Sequence, residues 1–287
     1  MVELSAGLSP ATLQAIADLE SRVVAADGGR LKLEWAALRR RTGPDPEDVL
    51  WWDGDRLLGF LGVYAHGAPT LELAGMVDPS VRRRGIGTAL LTAGLGLCRK
   101  REHDAVLLVV PRPSDAGRSL AVRHGGRHEH SEHALELHGD PAEVTAKPGI
   151  TVRAATPTDH EVLREILRLG FGWEPPEPAD RDPNTLVIDL DGRPVGTARL
   201  IVEGDRGGIY GYAIHPDRQG QGIGRDVLHR LCRTARTRGA TTVHLEVATD
   251  NDRALNLYTS VGFRPVITED YYSFGHGPGT GAVPVLP

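Results

Sequence analysis

Apolar and polar positions along the chain change between a period of two and a period near 3.6, and the order of these stretches predicts the elements. In the second half, Ile150 to Ala154 reads as a strand and leads through Thr158 and Asp159, with Asp159 as cap, into a helix ending near Leu169. The run Glu174-Pro175-Pro176-Glu177-Pro178 interrupts regular structure. Thr185 to Leu190 and Val195 to Val202 predict two strands joined by the hairpin signal Asp191-Gly192, and a third strand covers about Gly208 to Ile214. A helix from about Gly224 to Arg238, a strand Thr242 to Val247, a short helix from about Asp252 to Val261 and a final strand complete the order. A Gly/Pro tail, Gly275 to Pro287, follows and is expected to be mobile.

The first half repeats this order at an offset of 137 residues, which brings Pro79, Gly85, Ile86 and Gly87 onto Pro216, Gly222, Ile223 and Gly224. Without any gap it also pairs Gly59 with Gly196, Leu108 with Leu245, Leu120 with Leu257 and Gly125 with Gly262. A set of matches at one spacing is the mark of a duplication. The first copy closes with a strand around His133 to Leu137. The division expected is therefore a domain at residues 1–139, a linker at 140–149 carrying Pro141 and Pro148, and a domain at 150–287.

Composition agrees with two cores, since 287 residues with 40% hydrophobic content exceed what one domain usually holds. The net charge of -5 argues against nucleic acid and anionic membrane surfaces as partners. No apolar run reaches membrane-helix length, and Glu3, Pro10 and Asp18 do not suit a signal peptide, so a soluble, cytoplasmic protein is expected. Cys98 and Cys232 sit alone in apolar helical patterns, as buried free thiols do. His124, His128, His130, His133 and His138 are interleaved with charges, and on a strand His130 and His133 face opposite ways, so no metal is expected there. Trp51 and Trp52 read as packing residues. Nothing in the sequence signals an oligomeric state.

The stretch His215-Pro216-Asp217-Arg218-Gln219-Gly220-Gln221-Gly222-Ile223-Gly224-Arg225 opens a helix with three glycines. A helix N-terminus offers unpaired N–H groups, and glycines clear the approach for an anion; a tight turn with no ligand is the alternative. Arg225 stands where a dinucleotide fingerprint needs its last glycine, and no Gly-Lys-Ser/Thr follows as a P-loop requires. Gln219-x-x-Gly222-x-Gly224, preceded by hydrophobic-x-Pro, resembles the acyl-CoA pyrophosphate loop of the GCN5-related N-acetyltransferase (GNAT) family, and Arg82-x-x-Gly85-x-Gly87 repeats it. Leu245-Glu246-Val247, Asn251, Leu257-Tyr258 and Gly262-Phe263 resemble the second half of that signature. The run Ile209 to Tyr272 is similar to ribosomal-protein alanine N-acetyltransferases, and the tandem build to mycothiol synthases.

The resemblance implies an α/β (α+β) fold of two tandem GNAT domains, each a mixed twisted sheet flanked by helices, with acetyl-CoA as co-substrate and no metal. It implies that strands near Ile214 and Val243 splay apart. Ala213 and Ile214 would pair with the pantetheine arm, and the backbone of Gln219, Gly220, Gln221, Gly222, Ile223, Gly224 and Arg225 would hold the pyrophosphate. Val77, Arg82, Arg84, Gly85 and Gly87 are the first copy's candidates for the same task.

Acyl transfer to an amine needs a base for an ammonium whose pKa is about 8 to 10, and a proton for the departing thiolate. Strand alternation puts His244 and Glu246 on the face opposite Val243, Leu245 and Val247. Glu246 occupies the base position of the alanine acetyltransferases, with His244 as substitute; the alternative is a solvated or ion-paired carboxylate. Tyr258 matches the tyrosine that protonates sulfur in related enzymes, or else is a core residue. Asn251 either bonds the cofactor arm or caps a helix. The place on the strand before the loop where many relatives carry a base is near Gly208. In the first copy Val109, Ser114 and Ala121 stand at the positions of Glu246, Asn251 and Tyr258, so that copy is expected to be silent, with Glu72 its one carboxylate near the cleft strand. Trp173 is a substrate-contact candidate. The function expected is N-acetylation of a small-molecule amine, with a peptide N-terminus as acceptor, or non-catalytic acyl-CoA binding, as alternatives.

Overall fold

The structure, a computed structural model, describes residues 1–65, 70–101, 103–171 and 182–275. Trp173, the Glu174 to Pro178 connection and the tail beyond residue 275 lie outside them. By compactness the described chain forms two units, residues 1–130 with 269–275, and residues 131–268. Each unit is completed by a strand that belongs to the other sequence repeat.

In the first unit the strand order is β1 (Val2–Ser5), β2 (Asp48–Asp53), β3 (Arg56–Ala65), β4 (Thr70–Val77), β5 (Ala105–Pro111), then the last part of β12 (Arg264–Ser273). Only β4 and β5 run parallel, and their pairing stops after Leu73 and Leu108. On its other edge β5 pairs from Leu107 to Pro111 with Ser273 to Glu269 of β12. Helices α1 (Pro10–Asp27) and α2 (Trp35–Arg40) cover one face, with Ile16, Leu19 and Leu38 against Leu50, Phe60 and Met76. Helices α3 (Ile86–Cys98) and α4 (Asp115–Arg123) cover the other, over Leu61, Leu73 and Leu108. Trp51 and Trp52 pack against these two cores in turn, and Cys98 is a buried free thiol, as is Cys232 in the second unit.

In the second unit the order is the C-terminal part of β6 (Arg127–His138), β11 (Thr242–Ala248), β10 (Arg206–Ile214), β9 (Arg193–Glu203), β8 (Thr185–Leu190) and β7 (Ile150–Ala154). Helices α6 (Ile223–Thr237) and α7 (Asp252–Val261) bury Val227, Leu231 and Val261 against Leu200, Ile209, Val243 and Leu245. Helix α5 (His160–Phe171) packs on β9 and β10 from the opposite face. The Asp191-Gly192 hairpin has both residues at positive φ, 51° and 75°, the backbone a two-residue hairpin of this type requires. Thr156, rather than Asp159, is the cap ahead of α5: Asp159 is the third residue of a capping box, where its carboxylate accepts from the Thr156 N–H and pairs with Arg153.

One register detail separates the two copies. Strand β4 pairs with β3 without interruption, whereas β10 carries an extra residue between Tyr210 and Ala213 opposite β9, with Gly211 at φ 54°. A bulge of this kind turns the residues beyond it to the other face. Tyr210 therefore points to the side of His244, while Tyr212 turns under α6 and donates to the Gly224 carbonyl.

The connection between the repeats is held along the second unit. Ala142 N–H bonds Val261 O at 2.8 Å, and Lys147 N–H bonds the buried Asp226 carboxylate at 3.0 Å. Burial alone would raise the Asp226 pKa, but Arg230 and the Lys147 N–H outweigh it and hold the group below the ordinary range. No described helix is long and apolar enough to cross a membrane. Replacing Asp226 with Ala removes both bonds; urea denaturation is expected to show a loss of about 2 kcal/mol, discounted because Arg230 is partly solvated, with faster hydrogen exchange at Lys147.

Candidate active site

Strands β10 and β11 are paired only over Arg206–Gly208 and Thr242–His244. Beyond that point Ile209 to Ile214 keep their bonds to β9, and Leu245 to Ala248 keep theirs to β6, so each strand is held on its outer edge while the inner edges part. Helix α6 begins at this opening. Gly220 and Gly222 adopt left-handed φ of 76° and 81°, where a Cβ would cost about 1 to 2 kcal/mol. Gly224 serves another end: a Cβ there would meet Leu257 Cδ2 at 3.3 Å and Tyr212 Oη at 3.5 Å, so it lets α7 and β10 close on the helix start. The first turn leaves the Ile223, Gly224 and Arg225 N–H groups without helical acceptors, beside exposed Gly220, Gln221 and Gly222. This arrangement fits a diphosphate.

The side chain of Gln219 is held by the chain itself. Its amide donates to the Ile214 carbonyl at 2.8 Å, and Arg82 Nε donates to the Val77 carbonyl at 3.2 Å in the same way, so this position locks the loop to the strand before it. Arg82 is further tied to Asp27 by two bonds, which leaves Arg83 and Arg84 as the exposed cations of the first loop. Gly85 and Gly87 match Gly222 and Gly224 in role, φ 85° at the cap and contact with Leu120. Gly220, however, is replaced by Arg83, which sits at φ 66°. Arg225 bonds Ser260 Oγ at 3.1 Å and links α6 to α7.

Glu246 lies on the α5 side of β11, half-buried, opposite Ala134 of β6. His244 on the same face bonds Tyr210 Oη at 3.2 Å, and Arg199 stacks over the Tyr210 ring. Ala213 also faces α5, against Gly170. Tyr258 lies across the sheet from Glu246, in the core under α6 and α7 with Phe263 and Val247. Burial pushes its hydroxyl up to about 12, and burial also raises the hydroxyl of the partly exposed Tyr212 beside it well above the ordinary value. At the parted stretch of β10 and β11 a group threading the sheet would meet both faces. Asn251 Oδ1 accepts from Ala254 N–H at 3.1 Å, so it is the cap of α7, and only its amide NH2 remains for a ligand; Ser114 caps α4 in the same way.

In the first unit the corresponding opening lies between β4 and β5, and a cavity there is lined by Lys32, Ala74, Gly75, Val109 and Glu269. Lys32 Nζ donates to Tyr271 Oη at 2.6 Å and pairs with Glu72 at 3.3 Å. Glu72 is thus engaged by the chain's own ammonium. The histidines of β6 are spread in like manner: His128 and His130 pack on Tyr272 and Tyr271, and His133 bonds Thr268. Among the described residues no group of three metal-ligating side chains occurs. Tyr212, Lys32 and the bulge at Gly211 were not marked by sequence; the bulge alone decides the direction of Tyr212.

The acetyltransferase (GNAT) family model matches residues 14–125 and 155–263. The chain belongs to this family. A mycothiol acetyltransferase of Kytococcus sedentarius is 31% identical, the match covering 92% of this chain and 95% of that protein. A second from Nocardia farcinica is 30% identical over 91% and 94% of the two chains. Among solved structures, a GCN5-related N-acetyltransferase of Sphaerobacter thermophilus superposes with a TM-score of 0.79 at 23% identity, covering 98% of this chain and 96% of that one. A tandem GNAT protein of the clavulanic acid biosynthesis pathway gives 0.69 at 18%, covering 98% and 99%. These likenesses bear out the two GNAT domains of mixed sheet and helices, and they make the protein an N-acetyltransferase of the GNAT type.

The buried Tyr258 gives a pH signature. Its folded pKa, about 12, exceeds the unfolded value near 10, so the protonated phenol stabilises the fold fully below pH 10 and that contribution fades as pH rises toward 12. Wild type is expected to lose about 2 to 3 kcal/mol more than Tyr258→Phe between pH 9 and 12, read from denaturation free energies.

Proposed function

We propose that the second unit transfers an acetyl group from acetyl-CoA to the primary amine of a small molecule by direct attack. The observation that carries this reading is the parting of β10 from β11 at the start of α6, with Glu246 on one face and Tyr258 on the other. The N–H groups from Gly220 to Arg225 would bind the diphosphate, and the backbone of Ala213 and Ile214, freed from β11, would orient the arm. Asn251 would add its amide. The thioester supplies an activated acyl carbon and a sulfur leaving group.

Glu246, half-solvated beside the opening, takes the proton of the incoming ammonium directly or through one water. Tyr258 remains a phenol at every working pH. Against an alkyl thiol near 8.5, full proton transfer from a group near 12 is uphill, so its contribution is a hydrogen bond that steadies the thiolate until a proton arrives. The first unit would not turn over: Val109 and Ala121 replace these two side chains, and Lys32 occupies the acceptor side of its opening. The mycothiol acetyltransferase relatives support a small-molecule amine, such as a mycothiol precursor, over a peptide N-terminus.

The test is thiol release from acetyl-CoA with a panel of primary amines. Glu246→Gln is expected to lower kcat about a hundredfold and Tyr258→Phe about tenfold, with the CoA affinity within about threefold of wild type. Wild-type rates in both variants on the best amine would reject these roles.

A further inference from the structure

Lysine is rare in this chain. Lys32, Lys100 and Lys147 are the only ones among 33 lysines and arginines, so arginine is its ordinary cation. Lys100 is exposed and Lys147 half-buried. Lys32 differs from both: only 8% of its side chain is exposed, and it lines the cavity at the opening of the first unit.

The groups around its ammonium are those an acceptor amine needs. Glu72 lies 3.3 Å from Nζ, and Nζ donates to Tyr271 Oη at 2.6 Å. Glu72 stands on β4 just before the pairing with β5 ends at Leu73 and Leu108, and it alternates with Ala74 and Met76 onto the face covered by α1 and α2. Tyr271 is paired opposite Val109, which lines the same cavity. Amine, carboxylate and phenol therefore meet where the two strands part. The neighbouring Arg30 approaches Glu269 at 3.6 Å, but a guanidinium keeps its proton and does not attack a thioester. A primary amine attacks once one proton is removed.

We propose that Lys32 is a self-acetylation site: the first unit takes acetyl-CoA at its own loop and passes the acetyl group once to the Lys32 amine, with Glu72 as base. The first unit carries the same parted strands and left-handed glycine cap as the second, and Arg83 and Arg84 are exposed at that loop. The ammonium gives one proton to Glu72. Nζ then bonds the acyl carbon as the C–S bond breaks, a second proton ends on the CoA sulfur, and the third stays on the amide nitrogen. An ammonium beside a carboxylate becomes an acetamide beside a neutral carboxyl group. Both buried charges disappear together, so neither is left alone. The product remains part of the chain, and the unit modifies itself without turning over.

The test is incubation of the full-length protein with acetyl-CoA and no added amine, read by intact mass and tryptic mapping. One acetyl group is expected at Lys32, seen as an uncleaved peptide 31–39, forming at least about tenfold faster than label at Lys100, Lys147 or the N-terminus. Denaturing the protein in urea beforehand should erase that preference. Glu72→Gln should slow labelling about a hundredfold and Glu72→Asp recover part of the rate. Label already present on purification should be missing from Glu72→Gln. Glu246→Gln, which slows amine turnover on the reading above, should label Lys32 at the wild-type rate, so the two readings fail separately. No acetyl group at Lys32, equal labelling of the three lysines, or an unchanged rate in Glu72→Gln would overturn the proposal, as would loss of the label in Glu246→Gln. If Glu72→Gln does not fold, the wild-type preference among the three lysines decides alone.

Discussion

Two parallel strands that pair for three residues and then part are the constraint on which the second unit is built. Strand separation exposes backbone groups, and each buried one left without a partner costs on the order of 1 to 3 kcal/mol. The sheet tolerates it because β10 is bonded to β9 along its other edge and β11 to β6 along seven consecutive residues. The opening is thus rigid on both banks. A group lying in it can take over bonds that the strands do not make to each other, which is why an extended amide-bearing arm suits the gap.

The remaining features follow from that parting. Helix α6 starts where β10 leaves its neighbour, and left-handed Gly220 and Gly222 turn the chain sharply enough to present the helix N-terminus at the mouth. The bulge at Gly211 turns Tyr212 under α6 beside Tyr258, and leaves Tyr210 and Ala213 facing α5 with His244 and Glu246. The two sides of the opening acquire different chemistry: apolar with buried phenols on one, charged and half-solvated on the other. On the proposed reading, a thioester between them would have its sulfur near the Tyr258 hydroxyl and its carbonyl carbon open to an amine.

Much of this was legible in the sequence. Period and turn chemistry place the elements of the second copy to within two residues, including the Asp191-Gly192 hairpin, since these depend on neighbours a few positions apart. The loop was legible because its glycines answer to backbone φ and close approach, which are local needs. What could not be read is long-range. A gapless offset carries Gly75 onto Tyr212 and hides the extra residue of β10, because a bulge is a relation between two strands and leaves no mark on spacing. Pattern marks a strand around His133 to Leu137 and a final strand before the tail but cannot name their partners, so their exchange between the units emerges only from the ladder. For the same reason Lys32, distant in sequence from Glu72 and Tyr271, gave no signal.

Determining the structure with CoA bound tests the central claim most directly. The account predicts the diphosphate against the N–H groups of Gly220 to Arg225, the arm between β10 and β11, and the thiol between Glu246 and Tyr258. Finding the arm outside that opening, or the thiol away from both side chains, would contradict it.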